Sequence, residues 1–225
     1  MPYVFWTSVT RFGEALILLP AAMALMLWLA LRLRARRIAF AWSVALCAAA
    51  ALTAATKIAF IGWGVGIASL NFTGVSGHAM FAAAVIPVLL RAAASGMPER
   101  WHRASVIAGY AIAFVVAVSR VKVGAHSWSE VAAGFALGAL AGALTLRTGR
   151  VPMVDAPRLL LAGTAVWLAA MNIGAPPSPT HGWVTQIALV LSGRAQPYTR
   201  DDLLCSRPGG AGNAFPKLSR PDVCG

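Results

Sequence analysis

The sequence predicts an all-α fold, a polytopic membrane helix bundle of about six transmembrane helices. Three observations predict it. Of 225 residues, 59% are hydrophobic and only 12% are charged, where a soluble domain carries about 25% charged residues. The mean hydropathy is +0.71. The basic residues, which bring the net charge to +12, fall between long apolar runs, as they do in the loops of helical membrane proteins. That spacing argues against nucleic acid as a partner, because no basic face interleaved with aromatics is formed. With only Cys47, Cys205 and Cys224, a disulfide scaffold is excluded as well.

A bilayer crossing takes about 20 mostly apolar residues. Ala15–Leu31 is the first such run, and Arg32, Arg34, Arg36 and Arg37 follow it. A secretory signal carries its charge before a shorter apolar core, so this run reads as a retained helix. Ile38–Thr56 is the second, ended by Lys57, the only charge between Ile38 and Leu90. The third begins near His78 and runs to Leu90, before the basic loop Arg91–Arg103. The fourth is Ala104–Val118, ended by Ser119-Arg120. The fifth is Ser127–Leu146, and its Gly134, Gly138 and Gly142 form a small-residue ladder that reads as helix packing. The sixth is Leu159–Ala175, before Pro176-Pro177-Ser178-Pro179, a stretch that stops a helix.

Gly182–Ser192 is apolar but too short to cross, and reads as an interfacial or re-entrant piece. The expected division is a transmembrane helical domain over 1–192 and a polar, Gly/Pro-rich extracytoplasmic tail over 193–225. Cys205 and Cys224 lie in that tail, where the compartment permits a disulfide. Cys47 sits mid-span and reads as an inert core residue.

Alternate loops differ in charge. Arg32, Arg34, Arg36, Arg37, Arg91, Arg100, Arg103, Arg147, Arg150 and Arg158 fall on one side, and Arg11, Lys57, Arg120 and Lys122 on the other. The positive-inside rule places the first set in the cytoplasm. The expectation is a cytoplasmic (inner) membrane protein whose polar residues at helix ends face the exterior. High Ala, Arg and Gly suit a GC-rich bacterial genome.

Ionisable groups at membrane depth are costly and usually functional. Lys57, Ser76-Gly77-His78, Ser119-Arg120, His126 and Glu130 all fall on the outward side of the expected topology. Ser76-Gly77-His78 opens a helix, whose free N–H groups attract anions. Ser76 would add a hydroxyl donor, and Gly77 would let an anion approach the backbone. The plainer reading is an N-cap at Ser76 and an interfacial His78. Taken alone, Lys57 and Arg120 read as helix-end cations that snorkel to the interface.

His126 and Glu130 are four apart and share a helix face. Glu130 can then orient the imidazole. Ser127-Trp128-Ser129-Glu130 also matches a capping box, in which Glu130 serves the backbone and His126 is incidental. Taken together, two histidines, one carboxylate and several anion-binding groups suit phosphoryl transfer through a phosphohistidine.

At these residues the sequence resembles the type 2 phosphatidic acid phosphatase superfamily, which shares its core with vanadium haloperoxidases. That family carries Lys-x6-Arg-Pro, Pro-Ser-Gly-His and Ser-Arg-x5-His-x3-Asp. Here the third motif reads Ser119-Arg120, five residues, His126, three residues, Glu130. The second reads Val75-Ser76-Gly77-His78, and the first keeps only Lys57, with Gly64 and Val65 at the Arg and Pro positions. The resemblance covers roughly residues 50–150.

The resemblance implies roles. His126 would attack phosphorus, Glu130 would orient it, and His78 would protonate the leaving oxygen. Arg120, Lys57, Ser76 and the Gly77 backbone would bind phosphate oxygens, with no metal and no other cofactor. The implied partner is a lipid phosphate or diphosphate: phosphatidate, phosphatidylglycerol phosphate, a polyprenyl diphosphate or a lipid A phosphate. Two alternatives stand beside this. One is a non-catalytic family member that binds or moves a lipid phosphate, suggested by the missing Arg. The other is a zinc centre of His78, His126 and Glu130, which the nearby cations oppose.

Overall fold

The computed structural model describes residues 2–32, 35–149, 151–152, 163 and 180–205. The described residues are helical, without strands. The helices are α1 (Pro2–Arg11), α2 (Ala15–Leu31), α3 (Arg36–Trp63), α4 (Gly77–Ala93), α5 (Glu99–Lys122), α6 (Trp128–Arg147), α7 (Thr180–Ser192) and α8 (Arg200–Cys205). A short 3-10 turn, Ala68–Leu70, lies between α3 and α4. Tyr3–Leu31, Arg36–Trp63, Glu99–Lys122 and Trp128–Arg147 are long and apolar enough to cross a membrane, and Gly77–Ala93 is a shorter apolar helix. The expected sixth span, Leu159–Ala175, lies outside the described residues, as does Cys224.

α2 has the expected bounds. α1 was not expected: its Tyr, Phe and Trp make an apolar helix that ends at Arg11. Lys57 does not end the second span, because α3 runs on to Trp63. One Lys in a run of Ala, Ile and Phe costs little helix propensity. The terminator is Gly64, at φ +70, whose N–H bonds back to Phe60 O at 2.7 Å. α5 is likewise longer at both ends than its apolar stretch. Cys47 is exposed rather than in the core, since an apolar residue on a membrane helix can face lipid as readily as protein.

The chain forms two compact units, Met1–Thr53 with Ser76–Ser178, and Ala54–Val75 with Pro179–Gly225. In the first, α4 is the central helix. Ala79, Met80, Ala82, Ala83, Ala84, Val85 and Val88 are all fully buried, as expected for a helix that is apolar all round. It packs on α2, α5 and α6. Trp42 Nε1 on α3 donates to Ala84 O at 3.2 Å, and Tyr110 Oη on α5 donates to Ala139 O on α6 at 3.2 Å.

The α4–α6 contact decides the position of the site. A Cβ at Gly134 would collide with Ser76 O, one at Gly138 with Met80 O, and one at Gly142 would stand 3.1 Å from Ala83 O. The ladder therefore lays α6 directly on the α4 backbone, the packing role expected of it. It also sets the register that brings the first turns of the two helices together.

In the second unit, Phe60, Ile61 and Ala188 form a small core with Ile58, Val184, Tyr198 and Leu203 around it. The Tyr198 N–H donates to Ile61 O at 2.9 Å.

Candidate active site

The third motif is built by one helix end running into the next. At the end of α5, the Ala125 N–H bonds to Arg120 O at 3.0 Å, and the Gly124 N–H to Val121 O at 3.0 Å. This is the paired bonding of a Schellman motif, with Gly124 in its left-handed position at φ +71. The His126 N–H also reaches Arg120 O, at 3.3 Å. The five-residue spacer is thus one helix stop, and it sets His126 beside the Arg120 backbone. Ser119 is fully buried and bonds back to Val116 O.

α6 then starts with a complete capping box. Ser127 Oγ accepts from the Glu130 N–H at 3.4 Å, and Glu130 Oε2 accepts from the Ser127 N–H at 3.1 Å. The same Oε2 lies 2.7 Å from His126 Nδ1. Glu130 thus makes both contacts, to the capping backbone and to the imidazole, and they meet at one oxygen. Because Oε2 accepts from a backbone N–H, it stands as acceptor toward the imidazole too. With the carboxylate as acceptor, Nδ1 carries the proton and the ring lone pair lies on Nε2. Glu130 is fully buried, so this orientation is held without competition from solvent.

The second motif meets the third through the backbone. The Ser76 N–H donates to Glu130 O at 3.1 Å. Ser76 occupies the N-cap position of α4, but its side chain makes no cap bond. Its Oγ is buried without a hydrogen-bond partner. The plain N-cap reading therefore holds for the backbone and fails for the hydroxyl. At Gly77 the nearest atom to an added Cβ would be Thr53 Cγ2, at 3.8 Å. The first-turn amides of α4 point out of this helix end, as helix geometry requires. His78 follows directly in the first turn.

Arg120 does not snorkel. Its Nη1 donates to Thr10 Oγ1 on α1 at 2.8 Å, and its Nε is buried without a hydrogen-bond partner. Glu14 lies close enough to act on it electrostatically. The first unit thus brings together Ser76, Gly77, His78, Arg120, His126 and Glu130, and adds Thr10, Gly13 and Glu14, which sequence reasoning missed. The signal was present: Glu14 is the only acidic residue before Glu99, at membrane depth, where such groups are rarely incidental.

Lys57 lies in the second unit, half-buried on α3. An added Cβ at Gly74 would stand 3.0 Å from Lys57 Cγ, so this glycine packs on the lysine stem. The Val75 N–H bonds to Thr56 Oγ1 at 3.1 Å. In the same unit, Arg200 donates to Asn71 O at 3.0 Å and to Asn71 Oδ1 and Thr73 Oγ1. Gly64, at the position of the missing Arg, faces the Tyr198 ring, 3.2 Å from an added Cβ.

Among the described residues no three His, Cys, Asp or Glu side chains group so as to hold a metal ion. The zinc alternative has no geometric support there, and Glu130 Oε2 is already taken by His126 and Ser127.

The PAP2 superfamily model matches residues 63–151. Lys57 and the Thr10–Glu14 corner fall outside that stretch. The chain is 38% identical over 203 residues to an uncharacterized 22.5 kDa protein in the cps region of Klebsiella pneumoniae, covering 88% of this chain and 97% of that relative. No solved structure matches the chain. With the motif residues of one helix end bonded to those of the next and the match running through them, the chain belongs to the PAP2 superfamily.

Proposed function

We propose that the protein is an integral-membrane phosphatase that hydrolyses a lipid phosphate or diphosphate. The observation that carries this is the 2.7 Å contact of His126 Nδ1 with the buried Glu130 carboxylate. It assigns Nε2 as the nucleophile, on a segment bonded through the backbone to Arg120 and to the N-terminus of α4, groups suited to a phosphate.

In this reading His126 Nε2 attacks phosphorus, and the bond from phosphorus to the lipid oxygen breaks. His78 gives a proton to that oxygen. Arg120, Ser76 Oγ and the α4 amides hold the non-bridging oxygens as charge builds on them. Water then attacks the phosphohistidine, His78 takes its proton, and His126 is regenerated. Among the substrates named above, an outward-facing pool suits the charge asymmetry of the loops. Exposed apolar residues such as Leu27, Phe40, Ile107 and Leu140 give the helices a surface compatible with acyl or prenyl chains.

The test is phosphate release by purified protein from a panel of lipid phosphates and diphosphates, with His126→Ala as control. Wild type should release phosphate, and a base-stable, acid-labile phosphoenzyme should form only when His126 is present. Equal release by both proteins across the panel refutes the proposal.

A second reading, binding or moving a lipid phosphate without hydrolysis, is favoured by Gly64. The position of the family's Arg is a helix-ending glycine here. Under it, vesicles or micelles containing phosphatidate would bind wild type and His126→Ala equally, with no phosphate released.

A further inference from the structure

The corner between α1 and α2 packs against the site from a side that none of the three motifs supplies. Thr10 is 6% exposed and Glu14 7% exposed. A carboxylate buried among apolar helices is costly unless cations or donors compensate it. Two cations do so here. Arg11 Nε lies 3.8 Å from Glu14 Oε1, and Arg120 interacts electrostatically with the same carboxylate. Thr10 Oγ1 accepts from Arg120 Nη1 at 2.8 Å. Between them, Gly13 is held against His78: an added Cβ would stand 3.0 Å from both His78 Cβ and His78 O.

Glu14 has a local task available and does not take it. It occupies the N-cap position of α2, yet its side chain makes no cap bond. Glu14 Oε2 is buried without a hydrogen-bond partner. Its place is therefore not explained by capping the helix it starts. Arg11 pairs with it locally, and Arg120 is the second cation that acts on it. A long Arg in the last turn of a membrane helix would otherwise extend toward the aqueous interface.

Resting on the function proposed above, we propose that Thr10 and Glu14 are positioning residues of the phosphate site. Thr10 takes one guanidinium N–H, Glu14 holds the charge by attraction, and the remaining N–H groups of Arg120 are presented to phosphate oxygens. His78 is fixed from the same corner through Gly13. The N-terminal hairpin is then part of the site's wall, although it precedes all three motifs in sequence.

The experiment uses the full chain in detergent, with Thr10→Val, Thr10→Ser, Glu14→Gln and Arg120→Lys, singly and as doubles with Arg120→Lys. Two quantities are read: steady-state kinetics on a lipid monophosphate that the wild type hydrolyses, and the thermal shift given by orthovanadate. Thr10→Val and Glu14→Gln should each raise KM, and weaken vanadate binding, by about tenfold. Thr10→Ser, which keeps the hydroxyl, should recover most of that loss. In the Arg120→Lys background neither change should add a further loss, since both act through Arg120.

Losses that multiply in that background overturn the proposal. So does tighter vanadate binding by Glu14→Gln, which would show that the carboxylate only screens the site. Should Glu14→Gln fail to fold, the Thr10 pair decides alone, and equal behaviour of Val and Ser there is refutation. Failure of the phosphatase reading looks different: no phosphate release by wild type. The vanadate shift then still tests positioning, and its absence in wild type refutes both.

Discussion

The Ser76 N–H donates to the Glu130 carbonyl at 3.1 Å, so the first turns of α4 and α6 are tied by a backbone hydrogen bond. Ser76 precedes Gly77 and His78, and Glu130 holds His126. The proposed acid and the proposed nucleophile thus hang from one backbone bridge. Their relation depends on helix register, not on loop conformation, and this makes it testable from either helix.

Glu130→Gln should lower kcat about 100-fold, the scale of a lost acid–base function, with little change in KM. An amide oxygen can replace Oε2 as acceptor, so the ring stays oriented, but the charge that stabilises the imidazolium is gone. Glu130→Ala should also cost about 1 kcal/mol of stability through the lost capping box. Steady-state kinetics with thermal melts in detergent separate the two effects. A fall in melting temperature with unchanged kcat would refute the orienting role.

Gly138→Ala should be more harmful than its size suggests. The added methyl collides with Met80 O in the middle of the α4–α6 contact, and neither backbone can yield without shifting the register. The expected cost is about 1–3 kcal/mol, with loss of phosphate release. Gly182→Ala, where an added Cβ meets nothing within 4 Å, is the control. Melting temperature and activity of the two variants check this.

Gly64→Arg restores the family residue by name and should not restore its function. Gly64 has φ +70, and a side chain in left-handed backbone costs about 1–2 kcal/mol. Its added Cβ also meets the Tyr198 ring at 3.2 Å. The variant should melt lower than wild type and hydrolyse no faster. A gain in kcat/KM would show that the missing Arg is the main deficit.

At the start of α8, Asp202 Oδ2 accepts from the Thr199 hydroxyl at 2.7 Å and the Thr199 N–H at 2.8 Å. These bonds hold the Asp202 carboxyl below its usual pKa of 3.8. The sign follows: the cap's stabilisation is complete above the unfolded value and is lost as pH falls through the lower folded one. Amide exchange in residues 199–205 should therefore be protected at neutral pH and lose protection only in strong acid. Asp202→Asn should remove that acid-dependent step. A step of equal size in the variant would refute the assignment.

Much of the site was legible because it is local. The His126–Glu130 spacing, the Ser127 cap and the Gly134–Gly138–Gly142 ladder are all relations within one or two helix turns, where geometry follows from spacing. The two readings of Glu130 could not be separated by spacing, and the structure shows why: one oxygen serves both. Cys47 and the end of α3 were misread because hydropathy separates lipid from water but not lipid from protein interior. Thr10 and the second cation facing Glu14 escaped notice because Arg120 is remote in sequence.

By itself, the sequence determined the helical membrane class, the order of most helices and the motif residues, since each rests on composition or short-range periodicity. Only the tertiary structure decided which helix ends share a site. It set the N-terminal corner beside Arg120, laid α6 on the backbone of α4, and made Gly64 a helix stop where the family motif has an arginine. Those pairings depend on close packing between distant segments, and nothing in the local pattern of residues encodes which surfaces will meet.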